Sequence, residues 1–204
     1  MPFGNNQNQN NHQPANNNRC GGYALYAVLN DFFENDAKAP MVIYNQIQKC
    51  QADVPKELGD LIKAMSGDSE TNISLPSSLV RCAQSYELAA TIHYKRDWKI
   101  MNREPEMMSS FINLENGRSG GNTIKVENDH LFDVFNFDIP YFLVLVNNDT
   151  HWIAVKREPD RQHFTIYNPG DGNAETVGTN EIQSHLTTHY GAINLIITLQ
   201  QQQQ

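Results

Sequence analysis

Three things are scarce in this chain of 204 residues: cysteine, positive charge and long apolar runs. Three Cys, odd in number and widely spread, cannot build a disulfide framework, which points to a reducing compartment. Lys and Arg total 15 against 23 Asp and Glu, a net charge of -8 with a pI near 5.3. That balance argues against nucleic acid as a partner and against a polybasic hold on membrane surfaces. No run approaches the roughly 18 apolar residues of a bilayer span, so no membrane insertion is expected. The first residues have neither the basic start nor the apolar core of a secretory signal. The expected location is the cytoplasm, or outside the cell by export without a classical signal peptide. Metal-site spacing is missing too. Cys50, Cys82, His93 and His130 are not grouped in the local Cys-x-x-Cys or His-x-x-x-His pairs from which tetrahedral zinc sites are usually built. Gly117–Gly121 (GRSGG) has no Lys-Ser/Thr after it and no apolar strand before it, so it is not a phosphate loop. Neither metal nor cofactor is expected.

What remains is enough for one domain of ordinary size. Apolar residues make up 39% and mean hydropathy is -0.56. The deficit is local, because residues 1–18 hold eight Asn and three Gln and show no apolar period. They read as a disordered arm, residues 19–199 as the domain, and residues 200–204 as a structureless Gln tail. In Cys20–Phe33, Cys20, Ala24 and Val28 share one helical line; Leu25, Leu29 and Phe32 share the next. Further helices are expected over Met41–Cys50, Lys56–Met65 and Leu79–Tyr86, then a strand over Leu88–Tyr94. Residues 97–130 give no clear period, and Gly117, Gly120 and Gly121 mark a loop there. Strands are expected at Tyr141–Val146, His151–Arg157, Gln162–Asn168 and Gly191–Leu199. Helices first and antiparallel strands afterwards make an α+β fold.

Cys20 opens an amphipathic helix and precedes Gly21-Gly22. A thiol there feels the positive end of the helix dipole and the unpaired N–H groups of the first turn, both of which favour the thiolate. The two glycines permit close approach of backbone or substrate. His151 begins a strand that returns, through the turn Glu158–Arg161, along Gln162–Asn168. If Arg157 faces Gln162, then Val155 faces Phe164, Ile153 faces Ile166 and His151 faces Asn168, all on one side of the sheet. Trp152 and Tyr167 then fall on the other side, where packing is their default role. A nucleophilic thiol needs an imidazole to take its proton, and the imidazole needs a third group to hold its tautomer. Cys20 can supply the first, His151 the second and Asn168 the third. Asp171, three residues on, is the alternative third member. An oxyanion hole would use the Cys20 N–H and an upstream side-chain amide, with Gln13 first and Asn16–Asn18 as competitors.

The set Gln13, Cys20-Gly21-Gly22-Tyr23-Ala24-Leu25, His151-Trp152-Ile153-Ala154-Val155 and Tyr167-Asn168-Pro169-Gly170 resembles the papain-like cysteine peptidase superfamily. Within it the chain looks like the compact bacterial members, the double-glycine leader peptidases and papain-like effector proteases. The resemblance implies a helical lobe, with the nucleophile helix packed on an antiparallel sheet and the site in the cleft between them. It also implies Cys20 as nucleophile, His151 as general base, Asn168 as orienter, Gln13 as oxyanion donor, and a protein or peptide substrate. Deamidation of Gln or Asn side chains and acyl transfer use the same triad. A catalytically inactive binding module on the same fold is the reading from another class.

Overall fold

The computed structural model describes residues 19–32, 39–56, 74–98, 105–147 and 149–202. The first helix forms as its stripe predicts: α1 runs Cys20–Phe32, and Leu25, Val28 and Leu29 are wholly buried. Helix α2 covers Pro40–Gln51 and α3 covers Pro76–Gln84, each with proline in its first turn, where the missing N–H costs nothing. Helix α3 therefore starts three residues before the apolar signal at Leu79. The helix expected over Lys56–Met65 lies outside the described residues apart from Lys56, which is helical.

The described parts of 97–130 hold more regular structure than their sequence suggests. After β1 (Leu88–Lys95) comes α4 (Pro105–Arg118), and Gly120 and Gly121 then turn the chain at positive φ into β2 (Thr123–Val126). β2 pairs parallel to β1, so β1-α4-β2 is a crossover unit. A 3-10 helix over Asn128–Asn136 leads to the four antiparallel strands β3 (Tyr141–Val146), β4 (His151–Arg157), β5 (His163–Asn168) and β6 (Asn173–Gly178). Helix α5 (Ile182–Tyr190) and strand β7 (Leu195–Gln201) follow. β6 and α5 are additions to the sequence reading, and Gly191 caps α5 at φ 79° instead of opening a strand. Gln200 and Gln201, expected in a structureless tail, pair with Ala89 and Leu88, because β1 extends far enough to offer them ladder partners.

The result is α+β: one seven-stranded sheet in the order β2-β1-β7-β3-β4-β5-β6, antiparallel except for β1-β2. The sheet separates two cores. Leu143, Leu145, Trp152, Ala154 and Tyr167 point to the side of α1 to α4. Phe142, Val144, Ile153, Val155, Phe164 and Ile166 point to the 3-10 helix and α5. The helix that carries Cys20 thus packs on the sheet, as expected, while the opposite face is covered as well. Among the described residues no helix is long and apolar enough to cross a membrane.

The hairpin β4-β5 departs from the expected register by two residues. Observed partners are Val155↔Ile166 and Arg157↔Phe164, in place of Val155↔Phe164. The turn closes one residue later on each side, with the Glu158 N–H donating to the His163 carbonyl at 3.0 Å. Asp160 causes this: its Oδ1 accepts the N–H groups of Gln162 (2.9 Å) and His163 (3.2 Å), and Arg161 takes a positive φ of 58°. A two-residue shift preserves the side of the sheet on which each side chain lies. His151 and Asn168 therefore still share a face.

Candidate active site

At the start of α1 the Arg19 carbonyl accepts the N–H groups of Gly22 (2.9 Å) and Tyr23 (3.2 Å). The N–H groups of Cys20 and Gly21 have no place in the helix ladder and turn toward the Cys20 sulfur, joined there by the N–H of Trp152. The contact with Trp152 puts the thiol one residue from His151, at the first turn of strand β4. The glycines serve packing. A Cβ on Gly21 would stand 2.4 Å from the Ser74 Cβ and 3.3 Å from the Trp152 ring, and one on Gly22 would stand 2.8 Å from the Tyr44 Cβ. Trp152 itself is 1% exposed and donates its indole N–H to the Ser74 carbonyl at 3.0 Å, so it pins α3's approach to the sheet and does not wall a cleft.

His151 follows a turn with Asn147 and Asp149 at positive φ. Asp149 is anchored by the Trp98 indole (2.9 Å) and by the Asn194 amide (3.3 Å), and the Asn147 N–H donates to the Tyr190 carbonyl (3.1 Å). The imidazole Nε2 lies 2.8 Å from Asn168 Oδ1. An amide oxygen only accepts, so Nε2 carries the hydrogen and Nδ1 keeps the lone pair. With the observed register Asn168 reaches His151 diagonally across the hairpin, and Gly170 stands level with the ring. A Cβ on Gly170 would sit 3.2 Å from Asn168 Oδ1 and 3.5 Å from His151 Cε1. Asn168, and not Asp171, contacts the imidazole. Asp171 acts on it through its charge, and bonds to Asn168 Nδ2 at 3.3 Å. The Cys20 sulfur thus meets the backbone of Trp152, the chain neighbour of His151, and His151 is bonded to Asn168; Gln13 and Asn16–Asn18 lie outside the described residues.

The electrostatics correct one expectation. Burial pushes the Cys20 thiol up, and the N–H groups of Trp152, Gly21 and Cys20 only partly oppose it. Burial likewise lowers the His151 imidazole, against the Asn168 bond and the charge of Asp171. Both shifts favour the neutral forms, a thiol and an imidazole, and oppose the thiolate that the helix dipole favours.

The other cysteines and the histidines considered with them play different parts. Cys82 is buried and pushed up to about 12, and Cys50 is raised by partial burial. His93 is buried, bonds Thr198 Oγ1 at 3.2 Å and is lowered to about 4 by desolvation, while His130 pairs with Asp133 on the surface. Among the described residues no three His, Cys, Asp or Glu side chains converge on a metal position. Sequence reasoning missed Tyr190, and it gave Gly170 no role beyond its place in the Tyr167–Gly170 motif. The signal for Tyr190 was Gly191, a helix-ending residue directly after the segment IQSHLTTHY.

No protein-family model matches the chain, and no curated protein matches it. Among solved structures it is similar to the peptidase domain of Streptococcus ComA, a bi-functional ABC transporter involved in a quorum sensing pathway. The identity is 14% and the TM-score 0.46, over 94% of this chain and 96% of that one.

Proposed function

We propose that this chain is a cysteine peptidase that cleaves amide bonds through an acyl-thioester on Cys20. The observation that supports the reading is the continuity of the site: thiol against the Trp152 N–H, His151 next along the strand, and its Nε2 held by Asn168 at 2.8 Å. In the first half-reaction Nδ1 of His151 takes the thiol proton while the sulfur attacks the carbonyl carbon. The negative charge that develops on the carbonyl oxygen is met by the Cys20 N–H, with Gln13 as the second donor. The tetrahedral intermediate collapses, the C–N bond breaks, and His151 returns its proton to the leaving nitrogen. Water then adds to the thioester with His151 as base, releasing the acid and restoring the thiol. With the thiol shifted up and the imidazole shifted down, proton transfer accompanies attack and does not precede it.

The substrate is a protein or peptide. The test is to incubate the protein with a proteome-derived peptide pool and read new termini by mass spectrometry. New termini that disappear in Cys20→Ala are expected. Side-chain deamidation without new termini would overturn the peptidase assignment, and an inert pool would return the chain to the binding-module reading.

A further inference from the structure

An asparagine can hold an imidazole only if its amide is the right way round. Reversed, Asn168 would offer hydrogens to His151, select the Nδ1–H tautomer and leave Nδ1 without the lone pair that a general base needs. Three hydrogen bonds set the direction of this amide. Oδ1 accepts from His151 Nε2 at 2.8 Å and from the Gly170 N–H at 2.9 Å. Nδ2 donates to Asp171 Oδ2 at 3.3 Å, and the Tyr190 phenol stands beside the same amide. Reversal would put the amide oxygen against a carboxylate and its N–H against the N–H of Gly170, losing bonds on both sides.

We infer that Asp171 and Tyr190 are positioning residues that fix the orientation of Asn168 and, through it, the tautomer of His151. The inference rests on the proposed role of Asn168 as the imidazole's partner. Both residues are themselves held. Asp171 Oδ1 accepts the Asn173 N–H at 2.9 Å, closing the turn between β5 and β6. The Tyr190 hydroxyl donates to Glu175 Oε1 at 3.4 Å, and the same oxygen takes His185 Nε2 at 2.9 Å. The backbone of Tyr190 meanwhile takes the Asn147 N–H at the head of the turn that delivers His151. One residue on α5 thus braces both partners of the His151–Asn168 bond, from the turn and from the amide. The arrangement also accounts for the two candidate third members: Asn168 makes the contact, and Asp171 sets its direction while supplying the nearby negative charge felt by the ring.

The test is nitrogen-15 NMR of histidine-labelled protein, which reads the tautomer of His151 directly. Wild type is expected in the Nε2–H form. Tyr190→Phe keeps the ring and removes the hydroxyl, with its bond to Glu175; Asp171→Ala removes the carboxylate. Each should raise the Nδ1–H population, the double variant most, and turnover of the peptides that wild type cleaves should fall by roughly tenfold or more with little change in KM. A His151 signal unchanged in Tyr190→Phe and in Asp171→Ala overturns the inference. Should Asp171→Ala not fold, Tyr190→Phe decides. A tautomer that shifts in a protein cleaving no peptide at all would leave this inference standing and remove the peptidase reading instead.

Discussion

A thiol raised by burial and an imidazole lowered by burial exchange their proton only during attack, and this sets the pH dependence of the proposed reaction. The productive form carries one proton on the pair. At low pH a second proton occupies His151, so kcat/KM should rise as that proton leaves, below the ordinary imidazole value of about 6.5. It should fall only when the last proton leaves, above the free-thiol value of about 8.5. The two apparent constants belong to the pair. Ultraviolet absorbance of the thiolate, compared with Cys20→Ala, checks the order. A Cys20 thiolate already present at neutral pH would mean a preformed ion pair. Close by, Gly170→Ala should press a methyl onto the His151–Asn168 bond, 3.2 Å from the amide oxygen. Turnover should drop roughly ten- to a hundredfold with thermal stability barely changed; steady-state kinetics beside a melt would separate the two effects.

Helix α1 meets its neighbours through glycine. Gly21→Ala would drive a Cβ to 2.4 Å from Ser74, whose backbone is already tied to Trp152, so neither side yields easily. A loss of about 1–3 kcal/mol in denaturant unfolding is expected. Gly117→Ala is the contrast: it sits in the last turn of α4 with nothing within 4 Å of the added Cβ, and should stabilise by about 0.4–1 kcal/mol. Legibility follows the same physics. α1, β3 and β4 were readable because burial is periodic or continuous there. α4 was not, because its inward positions Met108, Phe111 and Glu115 end on a carboxylate and Gly117 interrupts the pattern. β6 was not, because this edge strand buries only Val177. Asn168 is legible only in part. The face was right, but the register depended on the capping of Asp160, which propensity alone does not reveal.

The helical side of the molecule is joined by a buried polar network behind α1. Glu115 on α4 accepts the Ser77 N–H (2.6 Å) and hydroxyl (2.8 Å) of α3. Arg118 reaches Ser77 and the Cys50 carbonyl at the end of α2, and Arg81 pairs with Asp53. Burial raises the Glu115 carboxyl to about 7. The folded state therefore holds a proton that the unfolded chain releases near 4.3. The stability this contributes is complete below 4.3 and is lost as pH rises through 7, by at most on the order of 3 kcal/mol. Glu115→Gln should flatten that part of the stability–pH curve, which unfolding at pH 4, 5, 6 and 7 (roughly the titration window) would show; an unchanged slope would mean Glu115 is ionised in the folded protein. The central claim is that Cys20 is the nucleophile and His151 its base. The measurement that tests it most directly is labelling by a peptidyl electrophile, with the modified residue and its rate read by mass spectrometry at neutral pH. Saturable labelling of Cys20 alone is expected, slowed by orders of magnitude in His151→Ala. Labelling of Cys50 or Cys82, or a Cys20 rate indifferent to the loss of His151, would contradict it.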